Sequence, residues 1–345
     1  MRQHNFFLMF LKIVFFSAIL VSTSSARAEL KVVTTIKPLH SMIANVMDGV
    51  GEPALIIEGS TSPHSFTLKP SHAKLLEEAD IIFWIGEGIE TFMERPLESI
   101  VKNAEVVEFM EIESINKLKF REESIFEEHD DHDDHDDHDD HDDHDDHDDH
   151  DDHDDHDDHD DHDDHDDHSG HDDHGHAHGD FDAHIWLDPM NAKVMVHEIA
   201  HELGDLDPAN KDKYETNAKA TIETLDQLLN DIDKDINKDA KFVVFHDAYQ
   251  YFEERFGVRA AGALTLNTDV LPGAKQIADI QDVIKDRGIK CIFSEPQFNP
   301  KIITTIAEDM NIKTGVFDPL GANIDSNKSL YFKLITNLGD ELKGC

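Results

Sequence analysis

The chain has 345 residues, enough for two domains of ordinary size, and 39% of them are apolar, so it can bury a sizeable core. Its formal charge of −46 argues against nucleic acid and anionic membrane surfaces as partners, because both repel a strongly acidic chain. Much of that charge is local: the run 129–168 holds 26 aspartates, and without them −20 remains on the rest of the chain.

At the N-terminus Arg2 and Lys12 supply positive charge, 13–21 is a short apolar run, and Ala26-Arg27-Ala28 fits the small-x-small cleavage pattern of an export signal. The run is too short to span a bilayer as a mature helix. Residues 1–28 are therefore read as a cleaved signal peptide, with the mature chain starting at Glu29 in the periplasm. No cysteine follows the apolar run, so no lipid anchor is expected, and no other stretch is long enough to cross a membrane.

Short apolar runs then alternate with amphipathic stretches, the pattern of βαβ units. Strands are predicted over 30–35, 54–58, 81–85 and 106–109. Beyond a low-complexity segment, strands follow over 242–245, 259–264, 291–294 and 314–317. Residues 71–78 and 276–285 read as helices between strands. Two groups of strands imply an α/β fold of two parallel-sheet lobes. Between them Tyr214, Ala218, Ile222, Leu225, Leu229, Ile232 and Ile236 recur at three- and four-residue spacing. That is one apolar stripe on a helix of about 28 residues, about 42 Å long. This linking helix, 208–238, is expected to be a stiff strut between an N-terminal lobe, 29–207, and a C-terminal lobe, 239–345; a coiled coil is the other reading of the stripe.

Residues 129–168 are an unbroken His-Asp-Asp repeat with 14 histidines, extended by His171, His174, His176 and His178. The run has no apolar side chain to bury and cannot offset ordering entropy, so the insertion 129–178 is expected to be disordered. Imidazole and carboxylate at every third residue offer many metal-binding pairs, none preorganised. Each pair would have to fix backbone at about 1–2 kcal/mol per residue. The segment reads as a low-affinity metal collector; a repeat grown by replication slippage is the plain alternative. Cys291 and Cys345 are the only cysteines. In an exported chain two cysteines most simply form one disulfide, which would pin the last residue to the C-terminal lobe.

Outside the signal and the His-rich run, the histidines are His40, His64, His72, His184, His197, His201 and His246. His64 lies in the turn Thr61-Ser62-Pro63-His64-Ser65 after a predicted strand. His184 precedes Ile185-Trp186-Leu187-Asp188-Pro189, read as a strand-to-helix junction, and His246 follows the strand Phe242-Val243-Val244-Phe245. Ligands in open α/β sheets bind beyond the carboxyl ends of strands. Three neutral imidazoles converging there suit Zn²⁺ and leave a fourth coordination position open; three unrelated capping or core histidines are the bland alternative. One motif points elsewhere: His197-Glu198-Ile199-Ala200-His201 matches the zinc protease pattern H-E-x-x-H. A metalloprotease would need both histidines, a third ligand and Glu198 as base. Val194, Val196, Ile199, Ala200 and Leu203 of the same helical pattern are needed for packing, so a solvated helix face is the preferred reading. His40 and His72 read as structural or solvent-facing.

Several motifs, in order, carry a resemblance to a known family. They are Thr35-Ile36-Lys37-Pro38-Leu39, Pro63-His64-Ser65-Phe66, Ala183-His184-Ile185-Trp186-Leu187-Asp188-Pro189, and Phe245-His246-Asp247-Ala248-Tyr249. The stretch 266–272, Ser294-Glu295-Pro296-Gln297-Phe298 and Phe317-Asp318-Pro319-Leu320-Gly321 complete the set. Over essentially all of 29–345, with its acidic His-rich loop and its cysteine pair, the chain resembles the ZnuA-type solute-binding proteins of zinc ABC transporters. The resemblance implies two Rossmann-like lobes joined by one long helix, with a zinc site in the cleft held by His64, His184 and His246. The manganese-binding relatives have a carboxylate where this chain has His246, and nitrogen in place of oxygen favours zinc. Asp318 matches a carboxylate ligand of the manganese branch. Some relatives have an acidic residue just before the first histidine; Pro63 stands there in this chain. The fourth ligand is thus expected to be Asp318 or water. The implied function is non-enzymatic: a periplasmic monomer captures Zn(II) as transported ligand and delivers it to the membrane permease of an ABC importer.

Overall fold

The structure is a computed structural model and describes residues 30–126, 180–266, 268 and 271–345. The signal segment and the His-Asp repeat lie outside these residues. In chain order the first lobe contains β1 (Val32–Thr34), α1 (Lys37–Val46), β2 (Ala54–Leu55), α2 (Pro70–Glu78), β3 (Ile81–Trp84), α3 (Glu94–Ser99) and β4 (Glu105–Glu108). Helices α4 (Pro189–Leu206) and α5 (Lys211–Asp235) follow. The second lobe contains β5 (Phe242–His246), α6 (Gln250–Phe256), β6 (Ala263–Thr265), α7 (Ala274–Asp286), β7 (Cys291–Ser294), α8 (Lys301–Met310), β8 (Lys313–Val316) and α9 (Leu330–Leu342).

The two sheets repeat one topology, β2-β1-β3-β4 and β6-β5-β7-β8, with every pairing parallel. All eight predicted strands are present, several of them shorter than their apolar runs. Side chains alternate across a strand, and β5 uses both faces. Phe242 and Val244 join the core shared with the first lobe, whereas Val243 and Phe245 join a second core under α7 and α8. β3 is buried at all four positions, the continuous apolar run expected of a strand covered on both faces.

The linking helix is shorter than its stripe suggests. α5 has 25 residues, about 37 Å at 1.5 Å per residue. Residues 208–210 form a turn before it, with Asn210 Nδ2 donating to Asp207 Oδ2 at 2.6 Å, and Ile236 is already extended at φ −68°, ψ 141°. α5 is no bare strut between lobes. Its buried residues Tyr214, Ala218, Thr221, Leu225 and Ile232 pack in one layer with α1, α4 and α9. The last of these closes the layer from the other end of the chain, because the C-terminal helix crosses back to pack on α1 and α5.

Side chains from one lobe end on backbone of the other. The buried Lys37 ammonium, at the start of α1, donates to the carbonyls of Gly321, Ala322 and Ile324 at 2.6, 3.1 and 2.7 Å. Trp186 Nε1 donates to Pro319 O at 2.8 Å and Tyr331 Oη to Trp186 O at 2.7 Å. Arg255 of α6 forks onto Asp188, the N-cap of α4, with both contacts at 2.7 Å. Residues 119–126 strap the lobes together: Lys119 pairs with Phe181 and Ile125 with Gly262 beside β6. Within the strap, Arg121 pairs with Asp247 at 2.8 Å and Glu253 at 2.7 Å.

Cys291 and Cys345 are bonded, at a sequence separation of 54. The bond ties the chain end, just beyond α9, to the central strand β7. Closing a loop of that length is worth about 4 kcal/mol in the chain-entropy account. The double substitution Cys291→Ser/Cys345→Ser is expected to lower unfolding free energy by up to about that amount. Urea denaturation of oxidised parent and variant measures it; equal midpoints would contradict the tether.

Candidate metal site

The C-terminal ends of both sheets face one cleft. His246 is the last residue of the central strand β5, so strand geometry aims its ring out of the sheet end, and β5 is hydrogen-bonded to β7. β7 ends at Ser294, and Glu295 follows it directly. His246 Nδ1 donates to Glu295 Oε1 at 2.7 Å. His64 reaches the cleft from a 3-10 turn, Pro63–Ser65, beyond β2. His184 arrives differently from expectation. No strand of either sheet precedes it; it caps the 3-10 turn Ile185–Leu187 that leads into α4. Its placement depends on Asp182, whose Oδ1 accepts from both the His184 backbone N–H at 3.0 Å and the ring Nδ1 at 2.7 Å.

These turns bring three rings into one cluster. Ring centroids lie 5.5 Å apart for His64–His184, 5.8 Å for His64–His246 and 5.1 Å for His184–His246. One nitrogen from each lies within 4.8 Å of the others, and this is the one such group of three or more potential ligands among the described residues. The nearest approach is His246 Nε2 to His184 Nε2, 3.3 Å. Because a carboxylate accepts, both Nδ1 atoms carry a proton, so each ring, when neutral, presents its Nε2 lone pair to the cleft. Trp186, Phe298, Pro319 and Leu320 wall the cluster on one side, and a wider opening runs past Ile89, Phe120 and Leu266.

The electrostatics follow from burial. Burial, then the neighbouring imidazoles, holds His64 well below the usual histidine value; burial and His246 do the same to His184. Burial also pulls down on His246, but the charge and hydrogen bond of Glu295, with Asp247 and Asp182 nearby, outweigh it and leave the ring raised. Buried Asp182 is pushed up to about 7 by desolvation, against the pull of the His184 amide, His246 and Arg121. Asp247 is likewise pushed up to about 7 by burial, despite Arg121.

Other predicted residues lie apart from this cluster. Asp318 stays with its own loop: Oδ1 accepts from Gln297 Nε2 at 3.0 Å and Leu320 N at 3.2 Å, and Oδ2 accepts from Ala322 N at 2.6 Å. It is not one of the grouped ligands. His197 and His201 lie on the exposed face of α4, while Ile199, Ala200 and Leu203 are buried. His201 faces Glu202 and Asp205. His40 is buried against Pro53 O at 3.2 Å, and His72 Nδ1 accepts from Lys69 N at the start of α2. Sequence reasoning assigned no role to Asp182, Glu295 or Arg121. The two carboxylates were visible only as acidic residues, one two positions before a histidine and one just past a strand end; nothing in the sequence marked Arg121.

Residues 32–345 match the family model described as zinc-uptake complex component A, periplasmic. The chain belongs to the ZnuA family. A Brucella abortus relative named high-affinity zinc uptake system protein ZnuA is 49% identical over 316 residues, covering 91% of each chain. The Haemophilus influenzae protein of the same name is 39% identical over 337 residues, covering 97% of this chain and 98% of its own. The fold is shared with a crystal structure of ZnuA, at TM-score 0.66 and 20% identity over 90% of this chain and 98% of that one. It is also shared with FpvC of Pseudomonas aeruginosa in complex with Mn²⁺, at TM-score 0.67 and 21% identity over 91% and 97%. Among the described residues, no helix of this ZnuA-family chain is long and apolar enough to cross a membrane.

In the metal-free protein His246 is expected to titrate above the ordinary histidine value and His64 and His184 below it. Replacing Glu295 by Gln removes the charge that raises His246, so its titration should move down. Side-chain NMR of the imidazole nitrogens against pH checks both, and a His246 that titrates below His184 would contradict the assignment.

Proposed function

We propose that the chain captures one Zn²⁺ between His64, His184 and His246 in the periplasm and hands it to the membrane permease of an ABC-type zinc importer. The supporting observation is the 3.3 Å separation of the His184 and His246 Nε2 atoms. Zinc binds imidazole nitrogen at about 2.0–2.1 Å in tetrahedral geometry, which puts neighbouring nitrogens about 3.4 Å apart. One edge of that tetrahedron is thus already set. The third nitrogen lies within 4.8 Å, so His64 needs to move in by no more than about 1.5 Å to reach tetrahedral spacing. Each of the two rings at the short edge is backed by a buried carboxylate, the arrangement that fixes the tautomer and raises ligand basicity. Three nitrogen donors suit zinc better than the harder manganese. The relatives' name as high-affinity zinc uptake proteins agrees with that donor set. Delivery without turnover needs no general base, and the mechanism uses none.

The His-Asp repeat is proposed as a weak collector beside this site. Its donors are many, but it carries no apolar residues to offset the entropy of ordering them, so its affinity per ion is far below that of a preorganised cleft.

Loss of one imidazole removes a direct ligand. His64→Ala, His184→Ala and His246→Ala are each expected to weaken the tight site by more than about 100-fold, beyond the effect typical of losing a supporting group. His197→Ala is expected to change it little. Chelator-competition titration in a variant lacking 129–178 measures both; unchanged tight binding in all three cleft variants would move the site elsewhere.

Protons compete with zinc for neutral imidazole. Because His246 is raised, its competition sets in first, above the ordinary histidine pKa, and affinity is expected to fall as pH drops through that range. The imidazoles of the repeat, whose binding has to order the chain first, should lose zinc more readily. Calorimetry at two pH values, with and without 129–178, is expected to show that deletion removes the weak multi-ion phase and leaves one tight ion per chain. Loss of the tight phase instead would make the repeat the primary site.

A further inference from the structure

Gln297 stands between two things the metal site has to decide: whether Asp318 becomes a ligand, and what fills the fourth coordination position. It follows β7 by three residues and lines the same cavity as His64, His184 and His246. Its amide is split between two tasks. Nε2 donates to Asp318 Oδ1 at 3.0 Å. Oε1 is buried and meets no donor among the described residues. The orientation is dictated by chemistry, since a carboxylate only accepts and the NH₂ must therefore face Asp318. The amide oxygen is then the end left for the cavity.

Asp318 lies two residues beyond β8, at the same sheet end as His246 and Glu295. A carboxylate so placed could complete a coordination sphere. Instead its two oxygens accept three hydrogen bonds, two from backbone amides of its own loop and one from Gln297. Gln297 is the one side chain in that set. Resting on the zinc reading above, we propose that Gln297 is the specificity-determining residue of the site. Its amide nitrogen holds Asp318 off the metal, and its amide oxygen accepts a hydrogen bond from the water that takes the fourth position. Metal-bound water is polarised and donates strongly, and a buried acceptor without a donor is the partner it needs. The result is a sphere of three nitrogens and one neutral oxygen. A carboxylate in the fourth place would harden the donor set and shift its preference towards manganese.

The test loads the full mature chain with one equivalent of cobalt(II), so that the cleft fills before the repeat, and reads the visible d–d spectrum. Zinc and manganese affinities are measured alongside. Gln297→Leu keeps the bulk but removes both amide functions. It is expected to change the cobalt spectrum to that of a site with carboxylate ligation. It is also expected to raise manganese affinity relative to zinc by about 10–100-fold, the usual span for a supporting group. Asp318→Asn alone is expected to keep the parent's cobalt spectrum, and Gln297→Leu/Asp318→Asn to return the manganese-to-zinc ratio to that of the parent. An unchanged spectrum and ratio in Gln297→Leu would overturn the proposal. So would a parent spectrum altered by Asp318→Asn, because Asp318 would then already be a ligand. Failure of the zinc reading itself looks different: the cobalt spectrum of the parent would survive His184→Ala.

Discussion

Two imidazole nitrogens facing each other at 3.3 Å are the constraint around which the cleft is organised. Each is forced to present a lone pair, because its other ring nitrogen is held by a carboxylate, Asp182 for His184 and Glu295 for His246. Two neutral rings so held repel at that distance unless a proton or a metal cation lies between them. The carboxylates behind them are buried as well, and Asp182 is pushed up to about 7 for lack of compensation. A divalent cation at the shared end would answer both problems at once, drawing on the lone pairs in front and the acidic groups behind. Removing it leaves an interior with too many acceptors.

Such a cluster holds its geometry only if the lobes cannot drift. Apolar burial alone does not fix register between lobes, since it is non-directional. The directional part comes from side chains of one lobe bonded to backbone or charge of the other. Lys37 is the extreme case, a buried ammonium satisfied by three carbonyls of the loop that also carries Asp318, Pro319 and Leu320. Trp186 reaches the same loop two residues after His184. Tyr251 joins the strap to the Asp182 segment, accepting from Leu118 N and donating to Asp182 O. With the frame held this way, little ordering is left for a ligand of the cleft to impose, and less ordering means tighter binding.

The fold by itself does not choose the metal. The same architecture occurs in FpvC in complex with Mn²⁺, and donor type is what distinguishes one metal from another in such a fold. The His197-Glu198-x-x-His201 pattern makes the complementary point. It carries the spacing of a metal site, but α4 turns its apolar side inward and leaves both histidines in solvent. Spacing on one helix is not convergence, and convergence is what a metal requires.

Local chemistry was legible in the sequence. Apolar runs marked the central strands β3, β5 and β7 most clearly, because a parallel strand covered on both faces has to be apolar throughout. The place of His246 at a strand end followed from the apolar run before it, and the Cys291–Cys345 bond from an even cysteine count. What escaped was non-local. His184 reads as a residue at a strand-to-helix junction, yet the described residues just before it, 180–183, belong to neither sheet; a hydrogen-bonded loop delivers it. The strut became one member of a helical layer because the C-terminal helix returns to cover it. Asp318, expected with water as a candidate fourth ligand, accepts a hydrogen bond from Gln297, 21 residues away. Glu295 stands 49 residues from His246, Arg121 126 from Asp247, and Lys37 284 from Gly321. The sequence alone determined which segments are strands and which side chains can bind a metal, because periodicity and donor chemistry are properties of neighbours along the chain. Only the tertiary structure decided which donors meet and which are held back, because that depends on contacts between residues that packing, not sequence order, brings together.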